Sequence, residues 1–548
     1  MPVLCALKEA CSRYGAYIAS SPPLAMTLNG TYEGLHSAEW EQDHFLGVRF
    51  AQPPPQFDVW GVQDATRYGY TCMQYGTGGP WNMSEDCLTL NIIRPHESSS
   101  ESLPVLVWIF GGGLGVGTTA DPQYNISGIV RVGQDIGQPV IGVSINYRVA
   151  SWGFLQTPEI LAEGSSNAGL LDQRMALRWI KENIAAFGGD PNRVVLWGES
   201  AGAQSIAYHM MSYNGRDDGL FHGAIMESGG PTGCPLKDLS FWTAPLQNLT
   251  RTVGCLGRNH QLACLRNLSS SDLYAARRTQ EWQSPLIDGD FLTAYPSKLL
   301  QERKFIKVPI ITGENTNEGF TFNPSNTWNA QCPLLDTEEE IFKSFIGWRT
   351  YLTSPSTIKR LLELYPLDAN ASVPIYSTVC SNLKKVGAQL GRAASIGGDL
   401  TMIAGRRRMC ELLTQRKVDQ DVYSYRFDTR PYGRAEGEGV QHFDNVAFSF
   451  QNITGLLGPS PQYDSHRRLS LAIGEAYIRF VNNLDPNPTH ERFEWQIEVQ
   501  LPHWPKYSLS RPRNLVLSEN GSYVEVDDYR KDAIAYINTP DISFELGA

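Results

Sequence analysis

The chain has 548 residues, 42% of them hydrophobic, with 50 Gly and 33 Pro, a composition that supports a large buried core and excludes disordered and collagen-like proteins. Its 57 acidic residues outnumber 46 basic ones, giving a net charge of −11 that repels phosphate backbones and argues against a nucleic-acid partner. No run of 18 or more apolar residues occurs, so no integral membrane segment is expected.

In chain order, the N-terminal stretch MPVLCALKEACSRYGAYIASSPPLA comes first, its apolar run broken by Lys8 and Glu9 before a signal-type segment develops. Residues 1–25 are therefore set apart, and 26–548 read as one domain, because neither repeats nor a low-complexity linker force a boundary. LPVLVWIF (103–110), PVIGVSINYR (139–148) and RVVLW (193–197) read as strands, with a helix through LLDQRMALRWIKENIAAF (170–187). Leu170, Met175, Leu177, Ile180 and Ile184 are expected on its apolar stripe, and Gly188-Gly189-Asp190-Pro191 stops it. VPIIT (308–312) and VYSYRF (422–427) follow as later strands, with EEEIFKSFIGW and TIKRLLELYP forming an inserted helical region between them. Strands alternating with helices predict an α/β fold whose mostly parallel sheet is covered on both faces.

Gly198-Glu199-Ser200-Ala201-Gly202 stands between the RVVLW strand and the helix-forming AQSIAYHMM. That context suits a G-x-S-x-G elbow, where two glycines permit a tight turn and hold the serine hydroxyl out. A serine needs a neighbouring base, and the base needs an orienting carboxylate. Among the late histidines, His466 in DSHRR and His490 in NPTH read as solvated and His503 lies in LPHWP, whereas His442 follows the glycine-bearing GRAEGEGVQ and is the candidate base. Glu318, in ITGENTNEGF after the VPIIT strand, is the candidate acid, with Glu314 its competitor and surface solvation the alternative for either. Phe110-Gly111-Gly112-Gly113-Leu114 follows the first strand and offers unshielded backbone N–H groups for an oxyanion. A phosphate-loop reading of GGLGVGTT fails for want of a lysine and of G-x-G-x-x-G. Neither HExxH nor a comparable ligand pattern occurs, so no metal and no cofactor are expected.

Eight N-x-[ST] sequons, at Asn29, Asn82, Asn125, Asn248, Asn267, Asn370, Asn452 and Asn520, exceed the roughly three to four that chance gives. The excess points to glycosylation in the secretory pathway and a secreted product, with a cytoplasmic location the alternative suggested by the N-terminus. Ten cysteines without a CxxC pair suit either compartment.

Taken together, FLGVRFAQPP (45–54), EDCLTLNIIRP (85–95), VWIFGGG (107–113), NAGLLDQRMALRWIKENIAAFGGDP (167–191), VVLWGESAG (194–202), ENTNEG (314–319) and GVQH (439–442) resemble, in order, the blocks of the type-B carboxylesterase and lipase family, the α/β-hydrolase branch that includes cholinesterases. The FGGG and NIAAFGGDP forms look most similar to its fungal esterases and lipases. The resemblance implies an α/β-hydrolase fold and a serine carboxylesterase, with Ser200 as nucleophile, His442 as general base and acid, Glu318 as orienting acid, and oxyanion N–H groups from Gly112, Gly113 and Ala201. It also implies disulfides Cys72–Cys87 and Cys255–Cys264, and assigns no partner to Cys5, Cys11, Cys234, Cys332, Cys380 or Cys410.

Only 14 residues separate Cys72 from Cys87, where lipases of this family carry a long lid, so an esterase on small or soluble esters is expected. The sequence departs from the family pattern at Asn445, where many relatives have an acid three positions after the catalytic histidine, and at Leu114, where an aromatic is usual. Trp81 reads as a packing or pocket-lining residue rather than a choline-binding one, and Ser228 in MESGG matches a family serine near the triad. The alternatives are a lipase, an intracellular esterase or acyltransferase acting on a natural product, and a non-catalytic binding member; the last would be marked by loss of the serine, the histidine or the elbow glycines, all of which are present. The expected partner is a small-molecule ester; oligomeric state is not legible.

Overall fold

The computed structural model describes residues 22–547 apart from 52–60, 76–81, 97–101, 258–259, 277–282, 325–334, 349–351, 353, 367–387, 416–417, 419, 435–438, 453–461 and 489–500. One 11-stranded sheet organises the molecule. Its strands are β1 (Leu35–Ser37), β2 (Gln42–Arg49), β3 (Thr89–Pro95), β4 (Leu103–Ile109), β5 (Ile141–Ile145), β6 (Gly189–Glu199), β7 (Gly223–Glu227), β8 (Ile310–Asn315), β9 (Val422–Phe427), β10 (Arg513–Leu517) and β11 (Tyr523–Val526). The spatial order is β11-β10-β9-β8-β7-β6-β4-β5-β3-β2-β1. From β5 through β10 the neighbours are parallel, and antiparallel strands close both edges.

Strands β4, β5, β7, β8 and β9 are buried at every residue, as expected of parallel strands covered on both faces. The two faces can be read from consecutive residues of β6. Trp197 packs edge-on against Tyr477 of the helix Asp464–Asn483. A Cβ on Gly198 would instead fall 2.7 Å from Gly202 C, in the helix Ala201–Gly215. Successive strand residues point to opposite faces, so these two helices cover the sheet from opposite sides. Trp108, Trp197 and Phe450 form an aromatic cluster at the centre of the core.

The expected helix forms as Ala168–Asn183, continues as a 3₁₀ turn over Ile184–Phe187, and ends at Gly188 with φ 85°. Leu170, Leu177, Ile180 and Ile184 are fully buried, but Met175 is 48% exposed. Met175 and Leu177 are two positions apart, about 200° around the helix, so they cannot share a stripe. The inserted region contains the expected helices Glu338–Phe345 and Pro355–Leu364. They build a second, smaller core with the last two helices, Lys531–Ile537 and Pro540–Glu545.

Both expected disulfides, Cys72–Cys87 and Cys255–Cys264, are present. Cys410 is buried, and Cys234 accepts a hydrogen bond from Gln204; Cys5, Cys11, Cys332 and Cys380 lie outside the described residues, as do Trp81, His490 and Asn370.

Candidate active site

Ser200 sits between β6 and α1 (Ala201–Gly215) with φ 55° and ψ −124°, a left-handed φ that strand-to-helix reversal imposes on a non-glycine residue. The flanking glycines are required by contact. A Cβ at Gly202 would lie 2.0 Å from Ile109 O. Ser200 N donates to Glu227 O at 2.9 Å, tying the turn to β7.

The glycine loop after β4 runs against this turn. A Cβ at Gly111 would fall 2.6 Å from Glu199 O and 2.9 Å from Ser200 Cβ, while one at Gly113 would meet nothing within 4 Å. Gly112 and Gly113 have φ values of 87° and 63°. The loop is anchored at Phe110, whose ring stacks on Tyr147 and whose carbonyl accepts from the Tyr147 hydroxyl at 2.8 Å. Ala201 lies at the N-terminus of α1, where backbone N–H groups and the helix dipole favour negative charge.

His442 lies on the loop after β9, on the side of the sheet edge where β8 ends. Asn317 N donates to Val440 O at 2.9 Å and Val440 N donates to Asn317 Oδ1 at 2.7 Å. Asn315 Nδ2 adds a bond to Gln441 O at 2.7 Å. Gly439, with φ 63°, lets the chain pass where a Cβ would come 2.3 Å from Asn317 Oδ1. These bonds fix His442 Nδ1 at 2.6 Å from Glu318 Oε2. The other oxygen of Glu318 accepts from Asn315 N at 2.7 Å and from Ser228 Oγ at 2.5 Å. The carboxylate is fully buried yet held by three donors, as a buried charge requires.

Glu314 is placed differently. It is buried against Arg406, which donates to both its oxygens at 2.7 and 2.8 Å. Arg406 also reaches Ser424 Oγ, Asn514 Oδ1 and Asp527, so one guanidinium joins β8, β9, β10 and the chain after β11. Surface solvation, the alternative for either glutamate, holds for neither. His466 is likewise buried rather than solvated, at 1% exposure, beside Glu519 and packed between Phe448 and Tyr463. The charged DSHRR sequence misleads because the helix turns its histidine inward. His503 is exposed.

Sequence reasoning passed over two carboxylates. Glu199 Oε1 lies 3.1 Å from His442 Nε2, an ion-pair contact outside hydrogen-bond geometry. Burial pushes Glu199 up to about 8, with the charges of Glu318 and Glu227 adding and His442 opposing. Burial lowers His442, but the carboxylates of Glu199 and Glu318 outweigh it and push the imidazole up to about 9. Glu227, one residue before Ser228, is pushed up to about 7 by burial, opposed by hydrogen bonds from Tyr477 and Ser449. Tyr477 donates to it at 2.7 Å. Asn445 accepts from Asn315 Nδ2 at 3.0 Å, so the position three after His442 carries a neutral link while the acid sits on β7. Glu199 occupies the variable position of the elbow motif, and Glu227 a strand end, where sequence alone gives no signal.

The structure thus brings Ser200, the glycine loop, His442 and Glu318 to the C-terminal ends of neighbouring parallel strands. The carboxylesterase family model matches residues 23–536. The chain belongs to the carboxylesterase family. Like other members it is a carboxylic ester hydrolase with an α/β-hydrolase fold. It is 32% identical to Lipase 4 of Diutina rugosa, with 94% of this chain and 95% of the relative covered. It is 35% identical to Secreted lipase 1 of Botryotinia fuckeliana, with 83% and 76% covered. The crystal structure of Aspergillus niger EstA superposes with a TM-score of 0.81 at 26% identity, covering 96% of this chain and 99% of that one. No helix among the described residues is long and apolar enough to cross a membrane.

Proposed function

We propose that this carboxylesterase works through an acyl-enzyme carried by Ser200, His442 and Glu318. His442 takes the Ser200 proton as Oγ attacks the ester carbonyl, then returns it to the departing alcohol. Water repeats the attack on the acyl-serine with the same imidazole as base. Glu318 holds Nδ1–H, fixing the tautomer that exposes Nε2, and stabilises the imidazolium. The N–H groups of Gly112, Gly113 and Ala201 receive the oxyanion. The 2.6 Å bond between His442 and the fully buried Glu318 carries this reading: it supplies the orienting carboxylate that serine activation needs.

Small or soluble esters are the proposed substrates, since the loop closed by Cys72–Cys87 has a sequence separation of only 15. A lipase is the second reading, favoured by the names of the fungal relatives. Hydrolysis of p-nitrophenyl esters of increasing acyl length, beside a triglyceride emulsion, separates the two. In the same assay Ser200→Ala should lose on the order of 10⁴ to 10⁶ in kcat while keeping the wild-type melting curve. A folded variant with near-normal turnover would refute the serine mechanism.

We also propose secretion with N-linked glycans. Asn29, Asn82, Asn125, Asn248, Asn267 and Asn520 are exposed and Asn452 half-buried, the two disulfides suit an oxidising compartment, and a relative is named as secreted.

A further inference from the structure

On the far edge of the sheet, cross-strand register builds a cluster that plays no part in catalysis. His36 of β1 pairs directly with Asp43 of β2, and Asp43 directly with Arg94 of β3. Paired residues share a face, and His96, two residues beyond Arg94, returns to it. His36 Nδ1 lies 3.3 Å and His96 Nδ1 2.8 Å from the same oxygen, Asp43 Oδ1. The two rings are 4.2 Å apart.

We propose that His36, Asp43 and His96 bind a divalent transition-metal ion of the zinc type, an inference independent of the catalytic reading. Two imidazole nitrogens and a carboxylate oxygen are a donor set suited to zinc, completed by water. The three ligand atoms already lie within 4.8 Å of one another. Two ligands on one tetrahedral zinc sit about 3.4 Å apart, so closure needs a shift of about an ångström. His36 can supply it, because β1 is a three-residue edge strand paired only to β2.

The surroundings prepare the carboxylate. Arg94 Nε and Nη2 both bind Asp43 Oδ2, at 3.2 and 3.1 Å. Arg94 is itself buried, over the Phe45 ring. This bidentate grip leaves Oδ1 facing the histidines, the kind of outer support that orients a ligating carboxylate. Asp43 is 2% exposed while the histidine side chains are 25% and 35% exposed, which gives an ion a route in from solvent. The sequence pattern missed the site because its ligands lie on three different segments and meet only through strand register. Since β3 runs antiparallel to β5, its C-terminal end is level with the start of β4 and β5. The cluster is therefore at the edge of the sheet opposite Ser200, and the ion would tie the terminal hairpin to β3.

The test uses the full chain, stripped with EDTA and titrated with zinc chloride by calorimetry near neutral pH. His36→Ala, His96→Ala and the double variant are measured alongside; both side chains are partly exposed, so folding should survive, and circular dichroism checks it. The expected result is one zinc per wild-type chain, affinity at least about tenfold weaker in each single variant, and no specific uptake in the double variant. Excess zinc should raise the wild-type melting temperature and leave that of the double variant in place. No stoichiometric uptake by the wild-type chain, or equal uptake by the double variant, would overturn the proposal.

Discussion

Glu199 Oε1 approaches His442 Nε2 to 3.1 Å, on the side of the imidazole opposite Glu318. The ring thus stands between two buried carboxylates, and Nε2, the nitrogen assigned to Ser200, faces the residue just before that serine. A protonated His442 is stabilised from both sides and cannot act as a base until the proton leaves.

Glu199→Gln should change the pH dependence of catalysis. In the proposed mechanism the neutral imidazole is the active base, so a pKa raised by neighbouring carboxylates means that activity is gained only as pH rises through the raised value. Removing the Glu199 charge lowers that pKa and should move the acid limb of the kcat/KM profile down by about one unit or more. An unmoved limb would show that Glu199 does not act on His442.

Glu318→Gln and Glu314→Gln should fail in different ways. The first removes the charge that stabilises imidazolium and favours the wrong tautomer, costing up to about 10⁴ in kcat with the fold kept. The second breaks a buried ion pair with Arg406 and should cost about 3 to 5 kcal/mol of stability, while the protein that remains folded retains most of its kcat. Thermal melts and active-site titration on both variants distinguish the outcomes, and an inverted pattern would reassign the acid.

Gly202→Ala should destabilise the elbow. The added methyl would sit 2.0 Å from the Ile109 carbonyl, forcing β4 and the helix start apart at a cost of about 1 to 3 kcal/mol. Because the glycine loop follows β4, kcat should drop with the melting temperature. A variant with wild-type values of both would show that the turn has more room than this packing provides.

Protein from its native host should shift to lower mass on treatment with an N-glycosidase, and non-reducing peptide mapping should recover Cys72 with Cys87 and Cys255 with Cys264. An unshifted band together with freely alkylated Cys255 and Cys264 would place the protein in a reducing compartment.

The parallel core was legible because its central strands are apolar or β-prone runs: LPVLVWI is β4 to the residue, and VYSYRF, rich in aromatic and β-branched residues, is β9. Ser200 was legible because the elbow is local, a motif whose strand and helix are contiguous with it. The choice between Glu314 and Glu318 was not settled by spacing. It rests on Arg406, 92 residues from Glu314, and on His442, 124 residues from Glu318, and no local pattern announces partners at that range. His466 and Met175 failed for a related reason: neighbouring charge and hydrophobicity are averages over a segment, whereas burial depends on which side of a helix a residue occupies.

Arg406 gives the C-terminal part of the chain an influence at a distance. Two of its partners, Asn514 on β10 and Asp527 just after β11, come from the end of the chain, and a third, Glu314, precedes Glu318 by four residues in the same turn of chain. Cleavage upstream of Arg513 that released the final segment would strip the guanidinium of one of its two anionic partners and leave a buried cation held only by Glu314 of β8 and Ser424 of β9. Truncation far from the elbow would therefore loosen the support beneath Glu318.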